Sequence, residues 1–146
     1  MDKHPRKKDE EKKEETKKFF NTLHEFFEII APNLSVGAIA VFWALVERAN
    51  YFGADFNDFF WCTDIWLMKR LGIRSQTTVA RYIKELMKAK AIFCRRGKHK
   101  NLASYYYIPY PYNPKRRDNP MKIIERREKA KAKAKKEVRE LIKKGY

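Results

Sequence analysis

Cysteine is scarce in this 146-residue chain: there are two, Cys62 and Cys94, with no CxxC spacing. A disulfide framework and a zinc finger are both excluded on that count. The three histidines, His4, His24 and His99, are scattered and lack metal-ligand spacing. There is no glycine-rich phosphate loop, no Ser-His-Asp set with supporting context, and no paired-histidine motif of the self-nicking enzymes. The expectation is a protein that is not an enzyme and carries no cofactor and no metal. Long apolar runs are missing too, so no segment is expected to span a bilayer. The stretch from Asp2 to Lys18 is charged and has no apolar core of a secretory signal. Together these absences point to a cytoplasmic protein with no membrane partner. No internal repeat is evident.

What the chain has in excess is positive charge. Lys and Arg number 34 against 18 Asp and Glu, a formal net charge of +16. The excess is uneven. Residues 31–68 carry one basic and four acidic side chains, whereas residues 69–118 carry 14 basic and 2 acidic, and residues 119–146 carry 11 basic and 4 acidic. A surface polarised in this way concentrates polyanions and speeds their capture. At 44% hydrophobic and 14% aromatic the chain also has enough material for a core.

The pattern of apolar residues divides the chain. Residues 1–18 have mixed charge and little to bury, and read as a disordered tail. Phe19, Phe20, Leu23, Phe26, Phe27 and Ile30 form one helical stripe, ended by Pro32. Ser35 is placed to cap a second helix reaching about Phe52, with Val36, Ile39, Ala40, Trp43, Leu45 and Val46 around it. Asp55 to Trp61 is a loop or short strand. Thr63 caps a helix that runs through Leu71 and stops at Gly72. Ser75 caps the next, about Gln76 to Ala89, with Val79, Ile83, Leu86 and Met87 as its inward stripe. Ala91–Arg96 and Leu102–Ile108 read as two strands around a turn at Gly97–Asn101. The spacing of Asp55, Asp58 and Asp64 suits turn and cap residues. The tyrosines at 105, 106, 107, 110 and 112 suit strand and core packing, although exposed ones would also stack unpaired bases. Prolines make 111–118 a linker, and Asn119-Pro120 opens a basic helix over 119–146.

The order helix, helix, turn, helix, hairpin, with the turn at Gly72–Ser75, is that of a helix-turn-helix followed by a wing. Residues 75–92, SQTTVARYIKELMKAKAI, resemble the S-x-x-T-V-x-R-x-I-K-x-L pattern of winged helix-turn-helix recognition helices through Ser75, Thr78, Val79, Arg81, Ile83, Lys84, Leu86 and Ile92. The preceding LMKRLGI resembles the positioning helix of that family, with Arg74 inserted before Ser75. Over about 34–108 the arrangement is similar to the N-terminal domains of phage and plasmid replication initiators and DnaD-like replisome organisers. It is also similar to MarR- and GntR-like transcription regulators. The resemblance implies a mainly α fold with a small β-hairpin wing (α+β), a winged-helix domain over 19–110 with extra helices at both ends. It further implies binding of double-stranded DNA with sequence preference, in replication initiation of a mobile element. Transcription regulation is the alternative, and a protein-interaction winged helix ranks below both.

Geometry then assigns the candidate residues. A major groove admits one helix. With Val79, Ile83, Leu86 and Met87 packed inward, Gln76, Thr77, Thr78, Arg81 and Lys84 are left to face it. Gln76 and Arg81 suit bidentate contacts to adenine and guanine, Thr77 offers a methyl to thymine, and Arg74 and Lys84 suit phosphates. Thr78 also suits support of the helix start. Ser75 and the first-turn amides form an anion-friendly helix start. The wing supplies Arg95, Arg96, Lys98, His99 and Lys100 for phosphates or the minor groove. A homodimer through the Phe19–Ile30 helix or the C-terminal helix, contacts with replisome proteins, and a place on the nucleoid complete the expectations.

Overall fold

The computed structural model describes residues 23–145. The charged stretch 1–18 and the first residues of the phenylalanine stripe, Phe19 and Phe20, lie outside them. The described fold is mainly helical with one small three-stranded antiparallel sheet, an α+β architecture. A π-helical turn over Phe26–Ile30 runs into a 3-10 turn over Ala31–Asn33. Helix α1 (Val36–Tyr51) follows, then strand β1 (Phe59–Thr63), helix α2 (Asp64–Leu71) and helix α3 (Gln76–Lys88). Strands β2 (Phe93–Arg95) and β3 (Ala103–Tyr107) and helix α4 (Met121–Lys143) complete the order.

The helix ends have identifiable causes. Ser35 Oγ accepts the Ala38 amide at 3.3 Å at the start of α1. Its hydroxyl also donates to Glu85 Oε2 at 2.6 Å, while the Ser35 amide donates to Glu85 Oε1 at 2.8 Å. The carboxylate of α3 thereby sits at the electropositive end of α1, a favourable charge–dipole arrangement. Thr63 Oγ1 accepts the Trp66 amide at 3.1 Å and starts α2. Gly72 stops that helix with φ of 67°, a conformation that costs a residue with a Cβ. Asn119 Oδ1 accepts the Met121 amide at 2.9 Å at the start of α4. Ser75 differs from the expectation. It occupies the cap position of α3, but its side chain makes no capping bond, and the helix start is held from elsewhere.

The core is built from Phe26, Val41, Phe42, Leu45, Leu67, Val79, Ile83, Leu86 and Ile92, closed by the inner face of the sheet. Phe26 stacks on Phe42 with ring centroids 4.3 Å apart, so the phenylalanine stripe covers the core of its own domain over the part described. Met87, expected inward, is 38% exposed. The buried row of α3 steps from Val79 to Ile83 to Leu86, and position 87 falls off it.

The aromatic segment expected to be a loop or short strand is strand β1, and it pairs with β3 rather than lying apart, in the order β1-β3-β2. The register sets Trp61 opposite Tyr105 and Tyr105 opposite Arg95; Phe60 faces Tyr106, and Tyr106 faces Cys94. Strand alternation turns Phe60, Cys62, Cys94, Ser104 and Tyr106 into the core. Burial pushes both cysteine thiols up to about 12. Residues 111–118 contain neither helix nor strand but pack on the domain. The Tyr112 hydroxyl donates to Ala89 O at 2.6 Å, and the Arg116 guanidinium lies over the rings of Phe93 and Tyr107 at 5.2 and 5.5 Å. Helix α4 is held at its start by buried Met121 and Ile124, and beyond them its side chains are exposed. No helix among the described residues is long and apolar enough to cross a membrane.

Candidate nucleic-acid interface

Helix α3 is amphipathic. Val79, Ile83 and Leu86 are buried, while Thr77, Arg81, Lys84 and Lys88 are exposed along the opposite side. The latter recur at steps of 4, 3 and 4 residues and so form one row on the helix. Lys88 extends this row by a turn beyond the residues singled out from the sequence; its place in the same periodicity is the signal that identifies it. Arg74 and Ser75 are exposed just before the helix, and Thr78 is half-buried. The Arg81 guanidinium lies 5.2 Å from the centroid of the Tyr82 ring, a contact that limits its freedom without using its donors.

Gln76 is placed differently. Its side-chain amide donates to Asp64 Oδ2 at 3.1 Å, and the residue is half-buried. The same carboxylate accepts Arg96 Nη1 at 2.7 Å on Oδ1 and Arg96 Nη2 at 2.5 Å on Oδ2. Asp64 is 2% exposed. A buried carboxylate is costly unless its lone pairs are filled, and here three donor nitrogens fill them. Burial works against the charge of Arg96, but the hydrogen bonds and charge of Asp64 outweigh it and hold the guanidinium above its ordinary range. Sequence spacing made Asp64 a turn or cap residue. In the fold Thr63 does the capping, and Asp64 joins the start of α2, the start of α3 and the base of the β2–β3 hairpin.

The basic cluster at residues 95–100 therefore separates into two kinds. Arg96 is committed to Asp64, and Arg95 pairs with Glu128 of α4. Lys98, His99 and Lys100 are exposed. Their turn is nevertheless ordered by hydrogen bonds from backbone amides. Leu102 N donates to His99 O at 3.0 Å, Gly97 N donates to Ser104 Oγ at 2.9 Å, and Ile65 N donates to Lys100 O at 3.3 Å. Gly97 is required by close approach: a Cβ there would stand 2.7 Å from Leu102 O. The last of the three bonds ties the tip to the first turn of α2, one residue from Asp64.

The arrangement thus fixes two exposed basic elements to a common base. One is the row Thr77, Arg81, Lys84 and Lys88; the other is the tip Lys98–Lys100. Gln76 and Arg96, the residues at their roots, meet on a single carboxylate. Chemically the two elements offer cationic donors in quantity. Among the described residues, no three His, Cys, Asp or Glu side chains gather as metal ligands. No family model, curated protein or solved structure matches the chain.

Proposed function

We propose that the protein is a winged-helix module that binds double-stranded DNA, with α3 entering the major groove and the 98–100 tip following the flanking backbone. The observation that carries this reading is the common anchorage of the two basic elements on Asp64, through Gln76 at the start of α3 and Arg96 at the base of the hairpin. A groove-reading helix and a wing must keep a fixed spacing to engage one duplex, and a shared buried carboxylate supplies it.

Arg81 is the residue for base reading, because it is exposed at the centre of the row and carries a fork suited to guanine. Thr77 lies one turn nearer the helix start and offers its methyl to thymine. Lys84, Lys88, Arg74 and the tip lysines take phosphates. Gln76 and Arg96 are positioning residues in this scheme rather than DNA contacts, and Arg95 is held by Glu128. Resemblance of residues 34–108 to replication initiators favours action at a replication origin of a mobile element.

Selection of bound fragments from randomised duplexes, with Arg81→Ala run in parallel, tests the proposal. The expected result is a sequence motif that blurs at one position in the variant. Its location in the source genome separates an origin from a promoter. Absence of duplex binding by the native chain overturns the reading.

A further inference from the structure

The outer face of the sheet carries aromatic side chains that the duplex-binding scheme does not use. Trp61 of β1 is 50% exposed, and Tyr105 directly opposite it on β3 is 37% exposed. Beside them the Phe52 ring lies 4.9 Å from Trp61, centroid to centroid, and Tyr51 lies 5.3 Å from Phe52. The neighbouring aromatic row on the same face, Phe59, Tyr107 and Phe93, is half-buried with Arg116 over two of its rings. Among the described residues, no guanidinium lies over the rings of Trp61 and Tyr105.

A cation sits at the edge of the open row. The Arg48 guanidinium lies 4.5 Å from the Phe52 ring centroid, 4.9 Å from that of Trp66 and 5.3 Å from that of Tyr51. Arg48 Nε is buried without a hydrogen-bond partner, and Arg48 forms no ion pair with any carboxylate among the described residues. The other arginine near this face, Arg95, is paired with Glu128. The buried Nε is out of an anion's reach, but the terminal Nη groups, with no ion pair among the described residues, suit an anion arriving from outside.

We propose that this face, Trp61 and Tyr105 with Arg48 beside them, is a binding platform for single-stranded nucleic acid. Bases stack on the two exposed rings, and a backbone phosphate takes the free donors of Arg48. Every base presents a π face, so such stacking tolerates any sequence, and a polyphosphate backbone supplies an anion at each nucleotide. The chain's charge of +16 favours that polymer over a partner surface of ordinary composition. The platform uses none of the residues assigned to duplex binding, so the two proposals stand or fall separately.

The test is fluorescence anisotropy of end-labelled single-stranded oligonucleotides, a 20-residue oligo(dT) and a 20-residue oligo(rU), with the full chain at low salt. A duplex drawn from the selection above, or a random duplex if no motif emerges, serves as comparison. The double variant Trp61→Ala/Tyr105→Ala is expected to lose at least tenfold in oligonucleotide affinity and keep its duplex affinity. Trp61→Phe, which keeps a ring, is expected to retain most of it, and circular dichroism checks that each variant is folded. Arg81→Ala is expected to behave in the opposite sense, losing duplex preference only. The ratio of the two oligonucleotide affinities identifies the preferred sugar. Equal oligonucleotide binding by the native chain and the folded double variant overturns the platform. So does a native chain that ignores oligonucleotides but sediments as a dimer which Trp61→Ala dissolves, since the face is then a seam between copies.

Discussion

The base and the tip of the β2–β3 hairpin are made from the same kind of residue, yet they do different work. Arg95 and Arg96 at the base are engaged by carboxylates, Glu128 and Asp64. Lys98, His99 and Lys100 at the tip face solvent. The difference lies in where the acid partners come from. Asp64 arrives from the first residue of α2 and Glu128 from the start of the third turn of α4, and nothing local to the hairpin announces either. Arginine at the base also fits the physics, because its planar fork fills two lone pairs of a buried carboxylate while lysine is a point charge better suited to water. A run of basic residues therefore divides into scaffold and exposed surface according to the carboxylates that reach it.

The largest effect is expected at the base. Asp64→Ala removes the acceptor shared by Arg96 and Gln76 and leaves their donors in a half-buried site. Loss of one partner of a fully buried pair costs about 3–5 kcal/mol; with the Arg96 side chain 30% exposed, about 2–4 kcal/mol is expected here. Urea denaturation measures it, and a midpoint unchanged from native breaks the distinction between base and tip. The inner face of the sheet beneath the base gives a second large effect, at alkaline pH. Unfolded Cys62 and Cys94 ionise near 9.0 but the buried thiols only at about 12, so the native state holds protons that the unfolded state releases. Stability conferred by these thiols is intact below pH 9 and falls as pH rises towards 12, by about 1.4 kcal/mol per pH unit for each thiol. A Cys62→Ala/Cys94→Ala variant should show a shallower alkaline decline in denaturation midpoint than the native chain.

At the exposed surfaces effects move from folding to binding. Arg81→Ala is expected to leave stability within about 0.5 kcal/mol of native and to cost about 1–3 kcal/mol on the preferred duplex. Lys98→Ala is expected to weaken all duplexes alike and to lower the slope of log affinity against log salt by about one. A sequence-selective loss with Lys98→Ala would make the tip a reader and erase its contrast with α3. The smallest effect belongs to the Arg95–Glu128 pair, whose side chains are 35% and 47% exposed. Glu128→Ala should cost about 0–1 kcal/mol, read as a small shift in thermal midpoint.

The helices were legible in the sequence because their signals are local: Ser35, Thr63 and Gly72 fix their ends through neighbours within a turn. The buried row of α3 was legible for the same reason, apart from Met87, which periodicity places at the margin of the stripe. Strand β1 was harder. Its partner β3 lies some 44 positions away, and a run such as Phe59-Phe60-Trp61 has no polar alternation to mark a half-exposed face. The site divided along the same line. Exposed Arg81, Lys84 and the tip residues follow from helix geometry and turn chemistry. The engagement of Gln76 and Arg96 by Asp64 depends on three segments meeting, which no single window of sequence contains.

Helix α3 is held near both ends. Gln76 binds Asp64 at its start, and Glu85 receives the amide and hydroxyl of Ser35 towards its finish. Mechanically it is a beam clamped at two supports, with little compliance in tilt or roll. Under the proposed duplex-binding role, a groove that does not already match its angle would gain nothing from waiting for the protein to adjust. In the proposed complex the bending would fall on the nucleic acid instead, and the stiffness of a DNA site, including base pairs the protein never touches, would become part of what is selected.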